Sequence, residues 1–165
     1  MALLKKVKSI YHCKNNKNMY KCHFFNIKEL VSDVVYNRFA ENAWMFFNSN
    51  FLKDLDKIRS YYSKPIIINN WATGGQFKQC GLRSNLDDIV KNKTKEKKIY
   101  CSAHCMGKAV DMHCEDNNKL WELCHDLIEG KKLLCMTRLE SLKSTKGGWV
   151  HIDCFQTDIN GCDVF

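Results

Sequence analysis

The sequence predicts an α+β domain in which helices pack on a small, mainly antiparallel sheet. Amphipathic helical patterns come first along the chain and short apolar strand patterns come later, an order typical of this class. The length of 165 residues allows one domain with a substantial core. We expect residues 26–165 to form that domain, and the lysine- and asparagine-rich residues 1–25 to form a basic arm or a small edge element.

Two helices are predicted in the first half of the chain. The first begins at Asn26, which makes a capping box with Glu29, and its apolar residues continue at helical spacing to Phe39. The second is predicted over Ser49–Tyr62, because its leucine and isoleucine residues recur on one stripe. It must end before Pro65, whose ring cannot continue a helix.

The second half of the chain carries shorter patterns. Residues 84–98 include the run KNKTKEKK, which predicts a solvated loop, and no aromatic residue is interleaved there to stack on a base. A third helix is predicted over Lys119–Ile128, ended by Gly130. The predicted strands are Ile66–Ile68, Ala109–Met112, Leu133–Leu139 and Trp149–Phe155.

Charge and hydropathy limit the classes of function. The net charge of +8 favours contact with polyanions such as nucleic acid or an anionic cell wall. No apolar run approaches the roughly 18 residues that span a bilayer. Met1–Ser9 lacks the apolar stretch and the cleavage site of a secretory signal. We therefore expect a monomer made in the cytoplasm without a signal peptide, with no membrane insertion and no specific nucleic-acid partner.

The ten cysteines follow no repeated spacing. Because the chain is longer than the small secreted domains that depend on disulfides, we expect most of them to be reduced, small apolar core residues. His12-Cys13 and Cys22-His23 form a symmetrical pair that could hold a second, structural zinc ion. Their ligands are directly adjacent, unlike the two to four intervening residues usual in zinc fingers, so ordinary packing is preferred.

Two segments carry candidate chemistry, SAHCMGKAVD from Ser102 and WVHID from Trp149. In the first, a glycine turn joins His104 to a strand that ends in Asp111, and the strand can direct this aspartate back toward the histidine. In the second, alternation places His151 on the same strand face as its neighbours two residues away. Two imidazoles and one carboxylate are the usual protein ligands of a catalytic zinc ion.

These motifs, S-x-H-x-x-G-x-A-x-D followed by W-V-H-I-D, resemble the zinc D-Ala-D-Ala carboxypeptidase family of peptidoglycan peptidases, including its phage-type members. Upstream, the segments Ile68–Trp71, Gly74-Gly75 and Gly81–Arg83 are similar to the family segment that ends in G-L-R. The ordered blocks run from about Asn26 to Asp153, most of the chain. The resemblance implies the fold shared by the hedgehog signalling domain and these peptidases.

The resemblance also implies roles for individual residues. The implied ligands of one zinc ion are His104, Asp111 and His151. Arg83 matches the arginine that holds the substrate carboxylate, and a guanidinium can do so with two parallel hydrogen bonds. Ser102 matches a motif serine near the substrate. Gly107 is expected to form a turn that a β-carbon would hinder, and Trp149 to pack beside the metal.

The general base is open at the level of sequence. Many family members place an acidic residue a few positions before the last histidine, but Gly148 stands three residues before His151. Glu140 matches a glutamate that some phage-type members carry at the end of the preceding strand, and it is the preferred base. Asp153 competes for this role, although orienting the imidazole of His151 suits it better. If neither carboxylate reaches the metal, the fold has lost catalysis.

The implied function is hydrolysis of peptidoglycan stem peptides by a zinc carboxypeptidase acting at the bacterial cell wall. One alternative is an endolysin-type endopeptidase that cuts L-Ala-D-Glu or a cross-bridge, in keeping with a phage-encoded protein. Another is a zinc-stabilised protein that binds the wall, or serves in a virion, without hydrolysis. Nucleic-acid binding is suggested by net charge alone, and the ligand set also accepts divalent ions other than zinc.

Overall fold

The structure is a computed structural model that describes residues 19–155 and 160–165. Helices pack on one four-stranded sheet, which confirms the predicted α+β class. Within the described residues, no helix is long and apolar enough to cross a membrane. Of the predicted basic arm, residues 1–18 lie outside the described residues, and so does the His12-Cys13 half of the possible second zinc site.

The remaining part of the predicted arm, residues 19–25, packs against the body of the protein. Phe25 lies in the core, and the hydroxyl of Tyr20 donates a hydrogen bond to Asp56 at 2.7 Å. The same carboxylate accepts backbone N–H groups from His23 and Phe24. Residues from 19 onward therefore contribute to the packed structure.

The helix predicted from Asn26 to Phe39 is wrong in one respect, because the chain forms two helices there. These are α1 (Ile27–Leu30), with the predicted Asn26–Glu29 capping box, and α2 (Asp33–Phe39). Between them, Val31 is extended and makes a parallel bridge with Leu82, and Ser32 caps α2. The hydroxyl of Ser32 also donates to the buried Asp87 carboxylate at 2.9 Å. Through Val31 and Ser32, the break between α1 and α2 thus holds the segment that contains Arg83 against the two helices.

Helix α3 (Ser49–Tyr62) has the predicted bounds. Asn48 caps its first turn, and Ser63 ends it in the left-handed conformation with φ of 59°, two residues before Pro65. The helix buries Asp54 completely as well as its apolar stripe. This carboxylate accepts backbone N–H groups at 2.7, 2.8 and 3.1 Å from three successive residues, Leu134, Cys135 and Met136.

The run KNKTKEKK within residues 84–98 was predicted as a solvated loop, but its first five residues belong to helix α4 (Asp88–Lys95). The helix has an acidic residue in its first turn and lysines in its last turn, which suits the helix dipole. Only Val90 of this helix is buried, so the expected solvent exposure is retained although the backbone is helical. The loop prediction was wrong because a single buried side chain gives too weak an apolar period to be recognised.

Helix α5 (Asn117–Glu129) is longer than predicted by two residues at its start and one at its end. Gly130 caps it as predicted, but the following Lys131 is the residue with positive φ, at 50°. Ile66–Ile68 does not join the sheet. It is extended, with Ile66 and Ile68 buried, and Ile67 makes one antiparallel bridge with His113.

The sheet has the order β1-β3-β2-β4, in which β2 and β4 are parallel and the other pairs are antiparallel. Its strands are β1 (Ala109–Met112), β2 (Arg138–Leu139), β3 (Val150–Asp153) and β4 (Asp163–Val164). The strand predicted over Leu133–Leu139 is correct only at its end, because Asp54 binds the backbone of residues 134–136. The strand predicted over Trp149–Phe155 is shorter by one residue at its start and two at its end.

The nine described cysteines are free thiols, as expected. Cys124 is the one that lies fully in the core, and Cys101 is exposed. Six are partly buried against the core: Cys22, Cys80, Cys114, Cys135, Cys154 and Cys162. Most of these cysteines therefore lie at the margin of the core, and the prediction of burial within it was too strong.

Candidate metal centre

A short 3-10 turn, Ala103–Met106, carries His104 into the structure. The hydroxyl of Ser102 caps this turn by accepting the backbone N–H of His104 at 3.3 Å. Gly107 ends the turn with φ of +65°, and a β-carbon there would come within 2.5 Å of the Phe46 carbonyl oxygen. The glycine is therefore required both by its conformation and by the close approach of another backbone, as the sequence predicts.

The register of the sheet brings the other two predicted ligands together. Strand β1 follows the glycine turn, and Asp111 on it lies directly opposite His151 on β3. On the opposite face of β3, Val150 and Ile152 are fully buried, which confirms the predicted alternation. The carboxylate and the imidazole are thus placed side by side by backbone pairing.

Three atoms form the candidate metal centre. His104 Nε2 lies 3.3 Å from both His151 Nδ1 and Asp111 Oδ1, and His151 Nδ1 lies 2.7 Å from Asp111 Oδ1. Ligands of a tetrahedral zinc ion are about 3.3 Å apart, given bonds of about 2.0 Å. Two of the three separations match this value, and the shorter one is a hydrogen bond between ligand atoms. The group can hold a metal ion.

Further hydrogen bonds orient both imidazoles. His104 Nδ1 donates to the carbonyl oxygen of Gly81 at 2.9 Å, and His151 Nε2 donates to Asp153 Oδ2 at 3.2 Å. Each histidine therefore presents its other nitrogen to the centre. Such partners are typical of histidines that bind metals, because they fix the tautomer and the ring orientation.

Arg83 contacts the candidate ligand Asp111. Its Nη2 donates to Asp111 Oδ2 at 2.8 Å, its Nη1 donates to the Tyr100 hydroxyl at 3.2 Å, and its Nε donates to the Gln79 carbonyl oxygen. The ion pair occupies Oδ2 and leaves Oδ1 directed at the two histidines. Three of the five guanidinium N–H groups are used in these bonds, and the other two have no hydrogen-bond partner among the described residues.

The protonation of the three groups follows from burial and from their contacts. Burial lowers the pKa of His104 and favours the neutral imidazole. Burial would also lower the pKa of His151, but the carboxylates of Asp111 and Asp153 have the larger effect and raise the pKa of His151 to about 9. Burial would raise the pKa of Asp111, yet the two imidazoles hold it well below its usual range. Without metal, His151 and Asp111 thus form a charged pair near neutral pH.

The centre lies in the wall of a cavity of about 340 Å³. This cavity brings together all eight predicted site residues: Arg83, Ser102, His104, Asp111, Glu140, Trp149, His151 and Asp153. Trp149 is 37% exposed and lines the cavity just before β3. The cavity is also lined by Arg138, Phe155 and Phe165, for which no role in the site was predicted from the sequence.

Glu140 and Asp153, the two candidate bases, have different surroundings. The backbone N–H of Glu140 donates to the His151 carbonyl oxygen at 3.1 Å, and among the described residues its carboxylate has no hydrogen-bond or ion-pair partner. Asp153 is 2% exposed, and it accepts hydrogen bonds from His151 and from the backbone N–H of Phe155. These contacts favour Glu140 as the available carboxylate and Asp153 as the group that orients His151.

Gly148, which stands three residues before His151, has no side chain to offer the centre and contributes its carbonyl group instead. This oxygen accepts a hydrogen bond from His113 Nδ1 at 3.2 Å. The imidazole of His113 is stacked on Phe77, with ring centroids 3.8 Å apart. His113 thus supports the loop before β3, a role that its position in the sequence did not indicate.

Comparison of the chain with protein-family models, with curated proteins and with solved structures found no match. The resemblance to the zinc D-Ala-D-Ala carboxypeptidases therefore rests on the sequence motifs. The arrangement of His104, Asp111 and His151 in one cavity rests on the structure.

Proposed function

We propose that this protein is a zinc peptidase that hydrolyses the stem peptides of bacterial peptidoglycan, in the manner of a D-Ala-D-Ala carboxypeptidase. One observation carries the proposal. A single cavity contains three atoms that could hold a metal ion, together with a carboxylate and two guanidinium N–H groups that have no partner among the described residues. These are the parts needed to activate water, transfer a proton and hold the carboxylate of a peptide.

The donor set fits zinc. Two imidazole nitrogens and one carboxylate oxygen leave a coordination position for water or substrate, as in catalytic zinc sites. When bound, zinc would act as a Lewis acid and make a water molecule acidic enough to react near neutral pH. Because other divalent ions accept the same ligands, the identity of the metal is part of the test.

Glu140 supplies the proton transfer in this proposal. Its backbone N–H is hydrogen-bonded to the carbonyl oxygen of His151, its side chain lines the same cavity as the candidate ligands, and no described residue competes for the carboxylate. In the reaction, Glu140 would take the proton of the attacking water and return it to the leaving amine. Asp153 would keep the imidazole of His151 in place.

Arg83 supplies the recognition of the peptide end. Two of its N–H groups have no partner within the described part of the chain, and its side chain is fixed by the bonds to Asp111, Tyr100 and Gln79. A guanidinium held in this way can orient a terminal carboxylate relative to the metal. Ser102 lines the same cavity and is the second candidate for contact with substrate.

The net charge of +8 supports action at an anionic cell wall, although salt screens such an attraction. The same site would also serve an endopeptidase of the endolysin type, including a phage-encoded one. A second candidate function is binding of the wall without hydrolysis, as a wall-binding or virion protein. It is favoured by Gly148, which stands where many similar enzymes have an acidic residue.

The experiment is mass spectrometry of the soluble products released from purified peptidoglycan by zinc-loaded protein. Chelator-treated protein and Glu140→Gln are the test samples. Glu122→Gln, an exposed glutamate on α5, is the matched control. Released D-alanine would identify a carboxypeptidase, and new stem termini would identify an endopeptidase. We expect product from wild type and Glu122→Gln, and none after chelation or in Glu140→Gln.

Two results would contradict the proposal. If zinc is bound and no product appears, the protein does not hydrolyse this substrate, and non-hydrolytic binding becomes the leading function. If Glu140→Gln releases product at the wild-type rate, hydrolysis stands but Glu140 is not the base. Reloading the chelated protein with zinc, manganese or cobalt one at a time identifies the metals that support the reaction.

A further inference from the structure

Arg138 on β2 is a second guanidinium in the wall of the metal cavity. It lies over the ring of Phe165 at 4.1 Å from the centroid and over the ring of Phe155 at 5.8 Å. Contacts of this kind fix the plane of a guanidinium and attract its charge. The side chain is 20% exposed, so it is held by packing and still open to the cavity.

The charge of Arg138 is only partly matched by its neighbours. Its Nε lies 3.3 Å from Asp163 Oδ2 and 3.9 Å from Asp153 Oδ1, yet this buried atom makes no hydrogen bond within the described residues. The two Nη groups also have no hydrogen-bond partner there. The outer end of the guanidinium is thus free to donate to a ligand, although its position is fixed by rings and carboxylates.

The strand order separates Arg138 from the strand that Arg83 contacts. Arg83 is bonded to Asp111 on β1, and Arg138 belongs to β2. Strand β3, which carries His151, lies between them in the sheet. A peptide that crosses the metal would therefore meet one guanidinium before the scissile bond and one after it.

We infer that the site selects a peptide with a carboxylate on each side of the scissile bond. Arg83 would hold the terminal carboxylate, and Arg138 a carboxylate on the acyl side. The inference rests on the proposed function, and it narrows the substrate to acidic stem peptides. Two guanidiniums line one cavity, and each has N–H groups with no hydrogen-bond partner among the described residues, which favours a ligand that carries carboxylates.

A purely structural role for Arg138 makes a different prediction. Through Asp163, the arginine could serve only to fasten β4 to the sheet. Asp163→Asn removes that ion pair and leaves the guanidinium in place. If fastening were the whole role, Asp163→Asn and Arg138→Gln would have the same effect, and this effect would not depend on the charge of the peptide.

The test uses two synthetic pentapeptide stems that both have a free terminal carboxylate. One has free internal carboxylates and the other has them amidated. Dissociation constants are measured by calorimetry on the zinc-loaded full chain with Glu140→Gln, and KM is measured on the active protein. Arg138→Gln is compared with Asp163→Asn and with Arg59→Gln, since Arg59 also lies over a phenylalanine ring, that of Phe24, outside the cavity.

We expect Arg138→Gln to weaken binding of the acidic peptide by roughly tenfold to a hundredfold, as for loss of a charge-assisted hydrogen bond, with little change for the amidated peptide. Arg59→Gln should change neither value. An equal effect of Arg138→Gln on both peptides, no effect on either, or the same pattern in Asp163→Asn would overturn the inference.

The binding measurement separates this inference from the proposed function. If wild type hydrolyses both peptides with equal KM, the function stands and the selectivity for the acyl-side carboxylate is rejected. If neither peptide is hydrolysed but the acidic one binds through Arg138, the hydrolase proposal fails, the assignment to the acyl side of a scissile bond fails with it, and recognition of an internal carboxylate by Arg138 stands. If zinc-loaded protein binds neither peptide, both are rejected.

Discussion

Asp111 and His151 face each other across β1 and β3, and their side chains meet at 2.7 Å between Oδ1 and Nδ1. In the absence of metal this contact is an ion pair, because the pKa of His151 is raised to about 9. A metal ion requires the lone pair of the same nitrogen. Binding of metal must therefore displace the proton that joins these two residues.

The first prediction is that zinc affinity depends on pH through His151. The folded, metal-free protein holds the proton up to about pH 9, so zinc competes with it over the range from neutral pH to that value. The apparent affinity should rise about tenfold per pH unit in this range and level off above it. His104 should add no second step near neutral pH, because burial lowers its pKa.

This dependence is measured by titration with a competing chelator, and the released protons by calorimetry in buffers of different ionisation enthalpy. We expect release of close to one proton near pH 7 and of fewer above pH 9. An affinity that does not change over this range would mean that His151 is already neutral in the metal-free protein, contrary to the ion pair.

The second prediction concerns Asp153, which orients His151 through Nε2. Asp153→Asn should weaken zinc binding by about tenfold to a hundredfold, the usual effect of losing a partner of a ligating histidine. His104→Ala, which removes a ligand, should weaken it further. Asp88→Asn on the exposed side of α4 is the control. The measurement is made above pH 9, where competition by the proton has ended.

Activity at saturating zinc distinguishes the two roles considered for Asp153. A residue that only orients the imidazole can be replaced without abolishing turnover once the metal is bound. If Asp153→Asn binds zinc fully and releases no product, whereas Glu140→Gln retains activity, then Asp153 is the base. Cobalt substitution provides a further check, because an absorption band from thiolate ligation would show that metal had bound to free cysteines instead.

The third prediction is that Asp54→Ala destabilises the fold. The fully buried carboxylate accepts three backbone N–H groups from residues 134–136, and these donors would be left without a partner. We expect a loss of roughly 3 kcal/mol or more in the free energy of unfolding, because hydrogen bonds to charged groups contribute more than neutral ones. Urea unfolding followed by circular dichroism measures it. Asp126→Ala, exposed on α5, should unfold close to wild type.

The same carboxylate shows which parts of the fold were open to prediction from the sequence. Helix α3 was predicted with correct bounds because its period, cap and terminating proline are all local signals. The strand predicted over Leu133–Leu139 failed because Asp54, eighty residues away, takes the backbone donors that a sheet would have used. Periodicity indicates which face of a segment is buried, but it does not identify the partner.

The residues of the candidate site also fall into two groups, those that could be predicted from the sequence and those that could not. His104, Asp111 and His151 could be found because each lies in a motif of fixed spacing, and the structure places them together. Arg138 and Phe165 could not be found, because they reach the cavity through the pairing of β2 with β4, two strands of two residues each. So short a strand leaves no period in the sequence.

The last prediction compares two glycines that share a conformation and differ in their surroundings. Gly107 and Gly147 have φ of +65° and +70°, so alanine at either position should cost roughly 1–2 kcal/mol in backbone strain. At Gly147 no atom lies within 4 Å of the added carbon, whereas at Gly107 it would meet the Phe46 carbonyl oxygen at 2.5 Å. Gly107→Ala must therefore shift a backbone segment.

We expect Gly147→Ala to lower the free energy of unfolding only by the cost of the backbone strain given above, and to bind zinc like wild type. Gly107→Ala should lose at least about 1 kcal/mol more, the usual minimum for overpacking. It should also bind zinc more weakly, because the turn that it distorts carries His104 and closes with a hydrogen bond from Gly107 N to the His104 carbonyl oxygen. Urea unfolding and zinc titration are run on both variants. Equal destabilisation with equal zinc affinity in the two variants would contradict this prediction. It would show that the backbone at Phe46 moves at little cost in free energy, and that Gly107 is needed only for its positive φ and not to position His104.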